Sequence, residues 1–470
     1  MNTLYQLGRI VRRLLPAGRV EEAVLTTANR LLPLPVKQLP AVLAGKTDRE
    51  RLIAALKGTS PVVLLHGRAG TGKTTLIHCL REEGFRHVVV APTGIAALNA
   101  GGQTIHSFFG IPPRIVNLED VKPRHRLGSI LRRIDIIVVD EISMVRADLL
   151  DVIDSTLRVN LEVDVPFGGK KLLLVGDFLQ LPPVVEDTDA SILEHRGYEY
   201  NHAFGAKCLF TRQQVSLIEL ATVYRQSDPE YLDLLHNVRN GENLTDTIQR
   251  LNLRCHRQHR DSANPVILTA TTDAASEYNR RGLAALPGNP TRFLGTIDKD
   301  FRVTRDKLPA PERLDLKNGA RIMMVKNDHD HRWVNGSLGT VARLSGGAVW
   351  VRLDGSSKEE EVHRETWESI EYQYDRTTRR VNPIVVGTYT QFPIMAAWAM
   401  TIHKAQGLTL EDVRIDLGYG AFCLGQTYVA LSRARSLNGL SFAQPLRVSD
   451  VMADTKLVAG VKAIAEMGSA

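Results

Sequence analysis

Through the first half of the chain, short wholly apolar runs alternate with stretches whose apolar residues recur at helical spacing. Each run stops abruptly on polar residues. VVLLHG leads into RAGTGKTT, HVVVA into PTG, IDIIVV into DEIS, and LLLV into GDFLQ. Runs this short, apolar on both faces, suit buried parallel strands, and the helical stretches supply their covers. The pattern predicts a doubly wound α/β domain whose ligands meet the polar strand ends.

A second unit opens near Leu217 with LIELATVYRQSD and continues through PVILTATTDAASEYNRR, strand then helix. Between Arg313 and Tyr389 the pattern changes to short alternating runs, ARIMMVKND, SLGTVARL and AVWVRLDG. Asn335-Gly336 and Gly346-Gly347 supply hairpin turns. These features predict a small antiparallel barrel, holding Trp333, Trp350 and Trp367, inserted into the second unit. That unit resumes at PIMAAWAMTIHKAQGLTL, and YVALSRARS reads as a helix. The expected organisation is a basic helical extension over 1–46, a first domain over 47–216 and a second over 217–312 and 390–448. The barrel occupies 313–389 and one C-terminal helix 449–470.

At the start, Leu4, Leu7, Val11 and Leu14 share a helical stripe, with Arg9, Arg12 and Arg13 off it, and no acid precedes Glu21. Such an opening resembles a mitochondrial transit peptide. The reading preferred here is a basic helix packed on the domain or touching DNA, in a chain of bacterial cytoplasmic type. Thr47-Asp48-Arg49-Glu50 is a capping box before the helix RLIAAL.

The chemistry collects at the strand ends. Gly67 to Thr74, GRAGTGKT, has the spacing of a phosphate-binding loop. Gly67, Gly70 and Gly72 let the backbone turn and aim N–H groups inward, Lys73 reaches outer phosphates, and Thr74 offers a hydroxyl to Mg²⁺. Asp140 suits the surroundings of that cation, and Glu141 suits a base for the attacking water. Gln180, just past another strand end, can sense a terminal phosphate or position water.

Composition adds little. A net charge of +7 and a pI near 9.2 favour a polyanionic partner without requiring one. Cys79, Cys208, Cys255 and Cys423 are too far apart for a zinc ribbon or a disulfide frame. Cys255-His256 with His259 lacks a second ligand cluster, so no zinc site is expected. No apolar run is long enough to span a membrane.

GRAGTGKTT, APTGIAA, TIHSFFG, DEISM, PFGG, GDFLQLPPV, YRQSD, VNGSLGTV, TIHKAQGLTL and YVALSRARSLNGL occur in that order. Together they resemble the petite-integration-frequency (Pif-type) DNA helicases, in group B of helicase superfamily 1. The PFGG run separates them from RecD-like motors. A non-hydrolysing DNA clamp is disfavoured by Glu141, Arg225 and Arg433, and a small kinase by the second unit.

The resemblance implies two RecA-like P-loop domains with an SH3-like β-barrel inserted in the second. It implies ATP and Mg²⁺ as cofactors, single-stranded, duplex and fork DNA as partners, and translocation 5′ to 3′. It implies a monomer or loose dimer, no membrane, and work in replication, repair and telomere maintenance. Nucleotide contacts carry over to Gly67, Ala69, Gly70, Thr71, Gly72, Lys73, Thr74, Thr75 and Gly407, and hydrolysis to Lys73, Glu141 and Gln180. Arg225 and Arg433 then reach across from the second domain. Pro92, Thr93, Gly94, His106, Ser107 and Phe108, with Thr401, His403 and Lys404, match DNA-facing loops. One departure stands out: Glu50 occupies the place of the family's adenine-reading Gln, and an ionised carboxylate accepts but cannot donate.

Overall fold

The structure, a computed structural model, describes residues 47–210, 215–255, 265–299, 301, 308–375, 380–455 and 457–461. The N-terminal basic stripe, His256, His259 and the last residues of the expected C-terminal helix lie outside the described residues. Helix α1, Asp48–Lys57, starts at the expected capping box. Thr47 Oγ1 accepts from the Glu50 N–H at 3.3 Å, and a Glu50 carboxylate oxygen accepts from the Thr47 N–H at 2.8 Å.

Six strands follow: β1 Val62–Gly67, β2 His87–Ala91, β3 Gln103–Thr104, β4 Ile136–Val139, β5 Lys171–Gly176 and β6 Val215–Leu220. Their order is β3-β2-β4-β5-β1-β6, and every pairing is parallel. Alternate residues feed two cores. Val62 and Leu64 join the side covered by α5, Ala147–Leu161. Val63 and Leu65 join Leu52 and Leu56 of α1 and Ile77 and Leu80 of α2, Lys73–Glu82. Between α2 and α5 lie α3, Gly94–Asn99, and α4, Ile105–Phe109. Burial on both faces explains why the middles of β1, β2, β4 and β5 read as apolar runs.

The expected boundary at 216/217 is corrected. Strand β6 pairs with β1 from Val62↔Val215 to Gly67↔Leu220, so the first sheet extends to Leu220. An apolar run reports that a strand is buried, but not which sheet buries it. The PFGG run forms a tight left-handed turn, with Phe167 at φ 52° and Gly168 at φ 57°. The Phe167 N–H donates to Asp154 of α5, and a Cβ on Gly168 would lie 2.8 Å from the Leu157 carbonyl. This turn is a clasp on α5, and at position 168 only glycine fits it.

The second unit begins with α6, Pro229–Asn240, and α7, Leu244–Cys255, and its parallel sheet opens with β7, Val266–Thr269. Antiparallel strands come next: β8 Thr291–Leu294, β9 Thr296–Lys299, β10 Arg313–Leu316, β11 Arg321–Met324 and β12 Leu338–Ser345. They continue with β13 Ala348–Leu353, β14 Glu359–Val362, β15 Glu365–Asp375, β16 Arg380–Gln391 and β17 Ile394–Ala396. They form a five-stranded sheet β14-β13-β12-β11-β17, a three-stranded sheet β15-β16-β9 and the pair β10-β8. The parallel sheet closes with β18 Ala399–Thr401, β19 Val413–Asp416 and β20 Leu440–Phe442, in the order β18-β7-β19-β20. Helix α8, Gln426–Leu431, packs with α6 in this unit's core.

The antiparallel region therefore runs from β8 to β17, wider than 313–389. Strands β8 and β9, TRFL and TIDK, are largely exposed and polar, so they carry no readable alternation. The hairpin β15–β16 reaches over to the first unit. Gln103 Nε2 donates to the Ile370 carbonyl at 2.5 Å, and the Tyr372 ring meets Phe108 edge-on at 5.8 Å. The tail is also corrected. Val448–Asp450 is a single 3₁₀ turn closed by Arg447 and Asp450, residues 451–454 are not helical, and helix resumes only at 455. There Leu457, Val458 and Val461 enter the first unit's core.

Candidate functional site

The phosphate loop links β1 to α2. Gly70 and Gly72 adopt φ +79° and +81°, and a Cβ on Gly70 would stand 2.5 Å from Cβ of Arg225. Lys73 Nζ lies over the loop and donates to the carbonyls of Gly67 at 2.7 Å and Arg68 at 2.9 Å. Burial lowers its pKa, while Asp177, Glu141 and Asp140 hold its charge. Thr74 and Thr75 are exposed at the helix start; Thr71 is buried, its hydroxyl bonded to the Arg68 carbonyl. The Ala69 N–H points at the Tyr428 hydroxyl of α8, 3.5 Å away.

Asp140 and Glu141 follow β4. Glu141 sits in the left-handed region at φ 51°, an uncommon conformation for a residue with a Cβ. One Asp140 oxygen accepts from the Glu141 N–H at 2.9 Å. Burial, then the neighbouring Asp140 charge, pushes the Glu141 carboxyl up to about 7. Gln180 is buried after β5, and its side-chain amide donates to Asp177 at 3.3 Å.

The crossing segment and the second unit bring cations to the same place. Arg225 donates to the carbonyls of Gly407 at 3.0 Å and Ser432 at 3.3 Å. Arg433 is 1% exposed and donates to the Val429 carbonyl at 3.0 Å, to the Ser432 hydroxyl at 2.7 Å, and to the Ala405 and Leu408 carbonyls at 3.4 Å. Neither guanidinium hydrogen-bonds a carboxylate among the described residues. Burial, then the Arg225 charge, lowers the Arg433 pKa to about 9, while the Glu141 charge opposes the shift. Gly407, at φ +88°, joins the site through its carbonyl.

Glu50 stays on its own helix end, and its carboxylate serves the cap of α1. Two participants escaped the sequence reading. Gln406 Nε2 donates to Glu141 at 3.0 Å from across the cleft. Arg239 of α6 reaches Asp177 at 2.8 Å. Gln406 stands inside the TIHKAQG motif, and its amide next to Lys404 was the available signal. Nothing in the α6 sequence separates Arg239 from a solvated helix charge.

The candidate DNA residues divide. Pro92, Thr93 and Gly94 stand at the start of α3, where Thr93 Oγ1 caps the Ala96 N–H. His106 bonds the Ile111 carbonyl, and the Ser107 N–H is capped by Thr104. Phe108 is a correction. It is 8% exposed, packs on Phe109 at 4.9 Å, and is covered by Tyr372, so in this arrangement it is a core ring. Apolar character made a stacking ring and a core ring indistinguishable in sequence. Thr401 is buried, and its hydroxyl caps the Lys404 N–H at 3.2 Å. His403 stacks on Phe422 with ring centres 6.4 Å apart, and Lys404 is exposed. Lys404 borders a cavity of about 590 Å³ between both units and the antiparallel insertion, with Leu98, Asn99, Lys326, Asn335 and Trp367 on its walls.

A family model described as PIF1-like helicase matches residues 49–249, and one described as Helicase matches 377–464. The human ATP-dependent DNA helicase PIF1 is 35% identical over 429 residues, covering 87% of this chain and 62% of that one. The chain thus spans less than two thirds of that relative's length. Bdellovibrio bacteriovorus Pif1 is 32% identical over 388 residues, covering 80% of this chain and 83% of that protein.

The chain belongs to the PIF1-like helicase family.

Among solved PIF1-like structures, Bacteroides Pif1 with ADP-AlF4 superposes with a TM-score of 0.83 at 32% identity, covering 90% of this chain and 97% of that one. The same Bacteroides protein bound to single-stranded DNA gives 0.64 at equal identity and coverage. Sequence and extent being equal, the lower score reports a different disposition of parts. The parallel sheets of this chain are thus those of the RecA-like PIF1 helicases, in the disposition nearer the ADP-AlF4 complex.

Proposed function

We propose that this chain is an ATP- and Mg²⁺-dependent DNA helicase that translocates 5′ to 3′ on single strands and unwinds duplex and fork DNA. One observation carries the reading. The buried guanidinium of Arg433 in the second unit and the half-buried one of Arg225 on the crossing between the units, bonded among the described residues to carbonyls and a serine hydroxyl, meet Lys73 and Glu141 of the first. Such cations suit the charge of a γ-phosphoryl group in transfer. They also make cleft closure depend on the triphosphate, because hydrolysis removes what both sides hold. The exposed Thr74 hydroxyl and the Asp140 carboxylate are hard oxygen donors that fit Mg²⁺. Bound there, the ion would offset phosphate charge.

The antiparallel insertion, β8 to β17, is read as an SH3-like barrel, and residues 1–46 as a basic helical extension. The cavity beside Lys404, with Lys326 as a second cation and the Trp367 edge in its wall, is the proposed strand path. The motor is proposed to act as a monomer in a bacterial-type cytoplasm.

Strand displacement from duplexes with a 5′ or a 3′ tail tests the polarity. The expected result is unwinding from the 5′ tail only, lost in Lys73→Ala. Unwinding confined to the 3′ tail would reverse the direction, and ATPase indifferent to single-stranded DNA would remove the motor. A second expectation concerns Glu50, which serves the α1 cap and cannot donate to adenine N7. ATP and GTP should drive unwinding at rates within a few-fold of each other. Strict ATP preference would place the adenine donor elsewhere.

A further inference from the structure

Beneath the phosphate loop lies a buried charge cluster that joins the two units. Asp177, just past β5, is fully shielded. Its carboxylate accepts from Arg239 Nη2 at 2.8 Å and Nε at 3.4 Å, from the Gln180 amide at 3.3 Å and from the Leu179 N–H at 3.2 Å. The Tyr428 hydroxyl of α8 stands 3.5 Å away. Arg239 also donates to His66 Nε2 at 3.0 Å, and burial keeps that imidazole neutral, lowering its pKa to about 4. Arg239 itself is 8% exposed and comes from α6, whose Leu234, Leu235 and Val238 belong to the second unit's core.

The charges near Asp177 are therefore Arg239 and Lys73. Asp177 in turn is the strongest charge acting on Lys73. Take Arg239 away, and an ionised carboxylate remains in a dry site with Lys73 as the remaining cation that acts on it. Opposite charges in such a site attract far more than in water.

We propose that Arg239 is a positioning residue for the nucleotide site. By satisfying Asp177 from the other unit, it leaves the Lys73 charge free for phosphate and holds the turn that carries Gln180. The phosphate loop of the first unit is then electrostatically complete only when the second unit is docked. The inference rests on the nucleotide-site reading given above.

The test is equilibrium ATP binding and steady-state hydrolysis on the full chain, with thermal melting as the folding control. Arg239→Gln is expected to weaken ATP binding by roughly ten- to hundredfold, raising KM more than it lowers kcat. Adding Asp177→Asn to that variant should restore most of the affinity, because the competing anion is gone. A purely structural role for Arg239 predicts the opposite, with the double variant no tighter than the single. Wild-type affinity in folded Arg239→Gln, or no rescue in the double variant, would overturn the proposal. Loss of binding in Lys73→Ala would still uphold the nucleotide site. If Arg239→Gln does not fold, Arg239→Lys and Asp177→Asn decide. Both leave Lys73 unopposed and should bind ATP within a few-fold of wild type, and a large loss in either folded variant refutes the idea.

Discussion

Glu141→Gln should reduce ATP turnover about a thousandfold while nucleotide and DNA binding survive. The amide keeps the shape of the side chain and can still bond Gln406, but it cannot take a proton. The surroundings of the carboxylate prepare it for proton abstraction. Burial beside Asp140 brings its pKa up to about 7, so near neutral pH it is both available and basic. The base must be ionised to act, so kcat/KM for ATP should fall as pH drops below about 7 and level off above it. Steady-state hydrolysis across pH, with nucleotide binding measured separately, checks both parts. Turnover retained in Glu141→Gln would mean that another group takes the proton.

Arg433→Ala should cost about three orders of magnitude or more in kcat, the range seen when an arginine finger is removed. Its guanidinium lies in the interior, where a cation is worth far more to a developing anion than it would be in water. The same side chain braces the carbonyls of Val429, Ala405 and Leu408, so the variant should also melt earlier. Losing those bonds costs about 1–3 kcal/mol. Single-turnover hydrolysis at saturating ATP, set beside a melting curve, separates the two effects. Arg433→Lys should recover stability better than rate, since an ammonium carries the charge without the planar fork. Near-normal single-turnover rates in folded Arg433→Ala would mean that this arginine is a brace and nothing more.

What the sequence made legible was whatever has a local signature. Strands β1, β2, β4 and β5 were readable because burial on both faces leaves their middles apolar. The phosphate loop, the acidic pair and the α1 capping box were readable because each is a short contiguous pattern. The assignment of β6 to a sheet was not, since pairing partners are chosen by tertiary packing. Strands β8 and β9 escaped because exposed polar strands have no period to show. The place of Phe108 was not legible because an aromatic ring looks the same in sequence whether a base or Tyr372 covers it. Arg239 and Gln406 were invisible as partners of Asp177 and Glu141, each pair joining residues far apart in the chain.

The crossing between the units carries a mechanical consequence. Strand β6 ends at Leu220, and only a few residues later the Tyr224 N–H donates to the Gly70 carbonyl at 2.9 Å. The polypeptide thus passes from one half to the other against the nucleotide loop itself. A door hung at that edge swings least at its pins and most at its far rim. The angular give from losing one phosphate would be magnified with distance from the loop.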